Sequence, residues 1–591
     1  MRFKHIRRHT QITILRFLQR IDLPEDFYML FLAGLIGIFA GLGAYVLNLL
    51  IDFFRYVFFD KIYSLSSFTI TSYILLALFP AIGGLIVGLV IHLFSRESRG
   101  HGVPSVIESI ANRAGYIRPR VTMITSFTAS ATIGTGGSAG KEGPIVQIGA
   151  AIGSTVGQLF NVSAERLKVL LGAGAGAGLA AVFNAPVTGV LFALEVLLAD
   201  FSINAFTPII FATVISTTIS HYLIGSSPVL YVPIYFLESV YEYPLYILMG
   251  IVGGIMAVLF TRMLYATDDL FNKYPGIPDY IKPAIGGLLV GIIAIFFPEV
   301  YGFDDQAIHN ALLERTAVWV LLLLTVLKMV ATSLSLGSGG SGGLFIPSLF
   351  VGATFGAFFG SVMNILFPQI TASPGAYALV GMGIMVAGTT HATLSALMLI
   401  FEVTSNYQII LPLMLGTIIA TITSRLIMRE NIYTMKIALS GEYIFKGRNM
   451  TLLQSIPIRK HIQKQFDRIS ENSSFHAILQ MLRKSDHATF PVMTPDDKLA
   501  GLISLNNIRS YMFEEDLYPL LIAKDIMQEE FITVHPGQSL ADVLRLFDLT
   551  DAELLPVTEK SRNRNLIGVI YRDELMRWYR KAPLLESKKA Y

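Results

Sequence analysis

The stretch Gly134-Thr-Gly-Gly-Ser-Ala-Gly-Lys-Glu-Gly-Pro144 recurs 203 residues later as Gly337-Ser-Gly-Gly-Ser-Gly-Gly-Leu-Phe-Ile-Pro347, and six of the eleven positions are identical. The match runs on through Gly149-Ala150 against Gly352-Ala353, Gly153 against Gly356 and Gly157 against Gly360. After a four-residue slip, Gly174, Gly176, Ala180, Ala185, Glu195 and Val196 fall on Gly381, Gly383, Ala387, Ala392, Glu402 and Val403. Two homologous halves follow from this self-similarity.

What surrounds the repeat fixes its solvent. Of the 591 residues 53% are hydrophobic and only 15% charged, a balance that places most of the chain in lipid and argues against an apolar-rich soluble enzyme. Met29–Leu50, Ile70–Phe94, Pro244–Leu264, Ile281–Phe297 and Val318–Leu336 are long enough to cross hydrocarbon as helices. Arg2, Lys4, Arg7, Arg8, Arg16 and Arg20 precede the first span, and Arg425, Arg429 and Lys436 follow the last. Both flanks are therefore expected in the cytoplasm, with an even number of crossings. The polar, amphipathic start predicts no cleavable signal peptide. A net charge of +3 gives no reason to expect nucleic acid. The absence of cysteine removes disulfides and thiolate chemistry and fits the cytoplasmic membrane of a prokaryote.

Paired Gly/Pro-interrupted apolar segments at corresponding places in two halves mark broken helices that meet near the bilayer midplane. Val103–Ile110, Pro144–Leu159 and Leu344–Met363 each begin at such a break and read as helices that start inside the membrane and are too short to span it. Gly149, Gly153 and Gly157 are spaced for close helix packing. The glycine run before each proline needs another reason. A helix start inside the bilayer offers unpaired N–H groups and the positive end of a macrodipole, and adjacent glycines let an anion reach them. Such partial charge holds an anion loosely enough to release it, as conduction requires.

From about residue 440 the long apolar runs end, and a second repeat appears. Phe490-Pro-Val492 and Gly501-Leu-Ile-Ser504 are answered by Leu555-Pro-Val557 and Gly568-Val-Ile-Tyr571, each copy reading strand, turn, strand, helix. Asn507 and Glu574 sit at matching points where the second strand meets a helix. This tail resembles a tandem CBS pair.

Gly100-His101-Gly102-Val103-Pro104, Gly140-Lys141-Glu142-Gly143-Pro144 and Gly343-Leu344-Phe345-Ile346-Pro347 resemble, in order, the three anion-pathway motifs of the CLC family of chloride channels and chloride/proton exchangers. Asn431-Ile432-Tyr433 resembles the segment that supplies the pore tyrosine. The resemblance covers nearly the whole chain. It implies an all-α polytopic membrane domain of two inverted repeats (CLC fold) plus a cytoplasmic α+β tandem CBS domain, assembled as a homodimer with one pore per subunit. The expected boundaries are an N-terminal segment 1–27, a membrane domain 28–440 with halves 28–222 and 238–440, a linker and first CBS copy 441–515, and a second copy with tail 516–591.

By the same resemblance the amides of Leu344 and Phe345, followed by Ile346, and the Tyr433 hydroxyl line a central chloride site, while Lys141, Glu142 and Gly143 line an outer one. Glu142 matches the gating glutamate, whose carboxylate competes with the anion until protonation removes its charge. Lys141 either sets the local field or snorkels toward water. His101 stands where the family often has serine, and its imidazole could add pH dependence. Val196 occupies the place of the exchangers' inner proton-transfer glutamate, with Glu195 beside it read as structural. Valine carries no proton, so a gated chloride channel, voltage-gated by the resemblance, is favoured; an antiporter that lacks the inner acid is the alternative, and a CBS-regulated cation transporter a distant one. No resident cofactor is expected beyond transported chloride and an adenine nucleotide at Asn507 and Glu574. No nucleophile–base pair or metal-ligand spacing points to an enzyme.

Overall fold

The computed structural model describes residues 25–62, 69–94, 102–112, 115–225, 232–233, 235–274, 276–302, 306–404, 406–439, 457–485, 487–509, 511–512, 517–550, 552–559 and 565–575. The chain divides into two compact units, 1–444 and 445–591.

The first unit is helical. Its first half contains α1 Glu25–Arg55, α2 Thr69–Phe94, α3 Val103–Asn112, α4 Pro119–Gly134, α5 Glu142–Leu159, α6 Ala164–Phe183, α7 Pro186–Phe192 continuing as a π turn Ala193–Leu198, and α8 Ile203–Leu223. The second contains α9 Tyr243–Asn272, α10 Lys282–Phe296, α11 Gln306–Leu312, α12 Val318–Gly337, α13 Phe345–Leu366, α14 Pro374–Thr390, α15 Thr393–Thr404, α16 Ile410–Ile427 and α17 Thr434–Leu439. Among the described residues eight helices are long and apolar enough to cross a membrane. Two lengths differ from the sequence expectation. The Ile281–Phe297 segment is a helix of only 15 residues, because Pro283 sits in its first turn and the chain turns again at Phe297. The segment expected to stop at Met363 runs to Leu366 and, at 22 residues, is long enough to span.

Repeat symmetry is visible in contacts. A Cβ on Gly149 would stand 2.0 Å from the Gly174 carbonyl oxygen, and one on Gly352 would stand 2.4 Å from that of Gly381, so α5 lies on α6 as α13 lies on α14. Only glycine permits this approach. A third pair had no counterpart in the sequence reading. Pro80-Ala-Ile-Gly-Gly-Leu85 on α2 and Pro283-Ala-Ile-Gly-Gly-Leu288 on α10 are identical and pack on each other, Gly84 against the Pro283 carbonyl and Gly287 against that of Pro80. The helices α6 and α14 end alike, on Asn184 and His391 in the left-handed region at φ 54° and 57°.

The second unit is α+β. Strands β1 Ile469–Ser470, β2 Thr489–Met493 and β3 Leu499–Ser504 form one sheet, in which β1 runs parallel and β3 antiparallel to β2; β4 Leu554–Thr558 and β5 Leu566–Tyr571 form an antiparallel pair. Val492 faces Gly501 in the first copy as Val557 faces Gly568 in the second, and both pairings slip at the next residue. Each copy has its own core, around Phe475, Phe490 and Ile503 in one and Phe547, Val557 and Ile570 in the other.

Candidate anion site

The two glycine loops cross. Gly140 donates its amide to the Gly343 carbonyl at 2.9 Å and receives that of Gly343 at 2.7 Å, a two-bond bridge between equivalent residues of the halves. Hydroxyls flank it reciprocally: the Ser138 amide donates to Ser335 Oγ at 2.9 Å, and the Ser341 amide donates to Thr132 Oγ1 at 3.2 Å. This crossing fixes where α5 and α13 begin. Their starts abut, since a Cβ on Gly143 would meet the Gly343 Cα at 3.1 Å. α3 joins them through Gly102, whose φ of +63° and contact with Gly143 leave no room for a side chain.

Glu142, first residue of α5, is 1% exposed and turns its carboxylate onto the start of α13. The Phe345 amide donates to Oε1, the amides of Ile346 and of Glu142 itself also act on the group, and Oε2 has no hydrogen-bond partner among the described residues. The cradle is made by missing side chains. A Cβ on Gly140 would lie 2.0 Å from Oε2, and one on Gly343 would lie 2.2 Å from Oε1. The amides that an anion would use are thus taken by the chain's own carboxylate.

Tyr433 is 2% exposed and its hydroxyl has no hydrogen-bond partner among the described residues. Its position is imposed by Asn431, whose Oδ1 accepts from the amides of Tyr433 at 3.0 Å and Thr434 at 2.8 Å, capping α17. Asn431 Nδ2 donates to the Thr390 carbonyl at 2.8 Å, and the Tyr265 hydroxyl donates to the Ile432 carbonyl at 2.7 Å. A cavity of about 130 Å³ touches Val103, Glu142, Gly143, Leu344 and Tyr433. The Tyr433 hydroxyl, without a partner among the described residues, and the helix-start amides suit a monovalent anion, to which O–H and N–H groups donate.

The structure therefore brings together Glu142, Gly143, Leu344, Phe345, Ile346 and Tyr433. Lys141 is half-buried and reaches toward Asn48 Oδ1 at 3.5 Å. Val196 lies in the π turn, 2% exposed in an apolar cluster and away from the cavity lining. His101 lies outside the described residues. Sequence reasoning missed Gly140 and Gly343 as the seat of the carboxylate, and Asn431 and Tyr265 as the supports of Tyr433. In the second unit, Asn507 Oδ1 accepts from the Ser504 amide at 3.0 Å and hydroxyl at 2.6 Å, and Glu574 accepts from Gln463 Nε2.

Fold and site together define an integral membrane protein built to pass a small anion between two inverted half-domains. The family model described as voltage gated chloride channel matches residues 83–425, and that of the CBS domain matches 458–514 and 523–581. The chain belongs to the voltage-gated chloride channel (CLC) family and carries two CBS domains. It is 29% identical to chloride channel protein CLC-f of Arabidopsis thaliana over 85% of this chain and 73% of that one. It is 31% identical to the H(+)/Cl(-) exchange transporter ClcA of Vibrio cholerae, over 71% of this chain and 90% of that one. The crystal structure of a eukaryotic CLC transporter, 23% identical, has the same fold at a TM-score of 0.69, over 93% of this chain and 98% of that one. Channels and exchangers both stand among these relatives, and the family transports ions rather than catalysing reactions.

Proposed function

We propose that this protein is a gated chloride channel in which Glu142 is the gate. The observation that carries the reading is the Glu142 carboxylate lying on the Phe345 amide at the start of α13, where an anion would otherwise bind. Protonation leaves a neutral side chain with less hold on those amides, and chloride then takes them, with the Tyr433 hydroxyl as a further donor. Gly143, Leu344 and Ile346 complete the wall, and Lys141 contributes field from the side.

The choice of channel over exchanger is supported by Val196, an apolar residue enclosed by apolar neighbours. The experiment is chloride flux in liposomes holding the purified chain, with and without a proton gradient. A channel gives a reversal potential that follows chloride alone; a shift with the pH gradient makes the protein an antiporter. The assembly is a homodimer in a prokaryotic cell membrane, with both termini and the CBS pair in the cytoplasm. An adenine nucleotide regulates it through Glu574 and Asn507, the matching position of the first copy, which requires different affinity for it in two pore states.

A further inference from the structure

Glu142 shares its cavity with a second carboxylate. The space that touches Glu142 and Tyr433 extends to Asp268 in the last turn of α9 and to Lys436 on α17. At about 130 Å³ it exceeds several times the volume one water needs. Two helices create the arrangement. Tyr265 of α9 holds the Ile432 carbonyl, and Asp268 follows three residues later on the same face. Lys436 follows Tyr433 by three residues, one turn into α17, and both line the same cavity.

The groups facing Asp268 are Lys436 from α17, Lys282 from α10, and Asp269, Asn272 and Tyr265 from its own helix. Lys436 is the strongest charged influence among them, and Lys436 in turn faces Glu108 of α3. Asp279, also on the cavity wall, is bound to Lys282 at 2.8 Å. His92 lines the same end, its ring centroid 5.4 Å from that of Tyr280. At this end Asn272 and Asp279 are exposed, so solution reaches it.

We propose that Asp268 is the proton-handling group that serves the Glu142 gate from this end of the cavity, a deepening that rests on the reading of Glu142 as gate. One proton leaves a hydronium ion for the Asp268 carboxylate, crosses cavity water to the Glu142 carboxylate, and leaves Asp268 ionised again. Only O–H bonds form and break, and no electron moves. Lys436 cancels the charge that Asp268 would otherwise set against an approaching anion. The polar route runs past Tyr433 and bypasses the apolar surroundings of Val196.

The test measures chloride current in excised membrane patches, where every copy has one orientation and the pH of each face is set separately. Asp268→Asn is expected to lose at least tenfold of the acid response at one face and keep it at the other, and Asp268→Glu to recover it. His92→Gln keeps the response at both faces. An unchanged response in Asp268→Asn, or a current scaled equally at every pH, overturns the proposal, as does a loss in His92→Gln alone. Lys436→Met supplies a second measurement should Asp268→Asn fail to reach the membrane: loss of the cation moves the pH midpoint at that face upward, and an unmoved midpoint counts against Asp268. Glu142→Gln, run alongside, judges the gate separately, because a wild-type acid response in that variant removes the gate reading whatever Asp268 does.

Discussion

Glu195 and Glu402 each cap a helix in the opposite half of the molecule. Glu195 accepts from the amides of Leu394 at 3.2 Å and Ser395 at 2.8 Å and from the Ser395 hydroxyl at 2.7 Å. Glu402 accepts from the amides of Val187 at 2.9 Å and Thr188 at 2.7 Å and from the Thr188 hydroxyl at 2.6 Å. The two caps are copies of each other, related by the internal repeat. A cap of this kind is worth about 1–2 kcal/mol, more where the acceptor is charged. Glu402→Ala and Glu195→Ala should each lower the melting temperature of detergent-solubilised protein by a few degrees. Glu195→Gln should leave the pH response of chloride flux as it is, because its carboxylate caps α15 and is not among the residues that line the Glu142 cavity. A flattened pH profile in that variant would make Glu195 part of the gate.

For Glu142 the sign of the pH effect follows from its contacts. On the proposed gating role, the ionised carboxylate holds the amides of α13 and the protonated one gives them up, so wild-type flux should rise as pH falls. Glu142→Gln should show less than about a twofold change over the range in which wild type changes severalfold, since the uncharged side chain has no ionised state in which to compete. Glu142→Ala should conduct at all pH values. Chloride efflux from liposomes, followed with a chloride electrode at stepped pH, reads both.

Gly140→Ala should mimic the loss of the gate. The three atoms nearest a Cβ at this position all belong to the Glu142 carboxylate, the far end of a flexible side chain, so the cheapest response is for that side chain to leave. Gly343→Ala is harsher, because its Cβ also meets the Gly143 nitrogen at 2.6 Å. A double-mutant cycle isolates the effect. Flux through Gly140→Ala should approach that of Glu142→Ala, and adding Gly140→Ala to Glu142→Ala should change flux little. Additive effects would mean that the methyl group acts on the loop rather than on the carboxylate.

Tyr433→Phe keeps the ring and removes a hydroxyl that has no partner among the described residues. A hydrogen bond to a charged group is worth about 1.5–3 kcal/mol, so chloride should bind about tenfold more weakly or worse. Calorimetric titration of the Glu142→Gln background, where the carboxylate no longer competes as an anion, measures this directly. Equal affinities would place the bound chloride away from Tyr433.

The parts of this architecture legible in sequence are those written as local pattern. Glycine runs before Pro144 and Pro347 revealed two halves and the starts of α5 and α13, and the paired Phe490-Pro-Val492 and Leu555-Pro-Val557 revealed the second unit. The repeat itself could have been carried further, for the six-residue identity at Pro80 and Pro283 stands at the same 203-residue spacing. What the pattern could not convey is which empty space a glycine leaves and what fills it: Gly140 and Gly343 looked like anion approaches, whereas their space is filled by Glu142. Asp268 was equally silent. An acid in the last turn of a long helix reads as a solvated terminus, and only the folded chain, in which Tyr265 of α9 holds the Ile432 carbonyl, shows it on the wall of the same cavity as Glu142.

In the CBS pair, Gln463 and a nucleotide would compete for one carboxylate. Gln463 Nε2 donates to Glu574 Oε2, and beside them a cleft of about 590 Å³ is lined by Gln463, Lys464, Arg468, His487 and Tyr571. The His487 and Tyr571 rings stack at 3.6 Å and 9°. Burial, with Asp467 and Glu574 nearby, pushes the Tyr571 hydroxyl up to about 12, so it stays a neutral donor at physiological pH. A ribose that takes Glu574 must first displace Gln463. Removing the competitor in Gln463→Ala should therefore tighten nucleotide binding by about fivefold to tenfold, the equivalent of one hydrogen bond. Glu574→Ala should abolish it, and Asn507→Ala should matter less because its acceptor is committed to Ser504. Calorimetry with ATP, AMP and a cyclic dinucleotide reads all three variants on the full chain. Weaker binding in Gln463→Ala would make the glutamine a ligand contact, and no heat from any nucleotide would leave the pair as a dimerisation module.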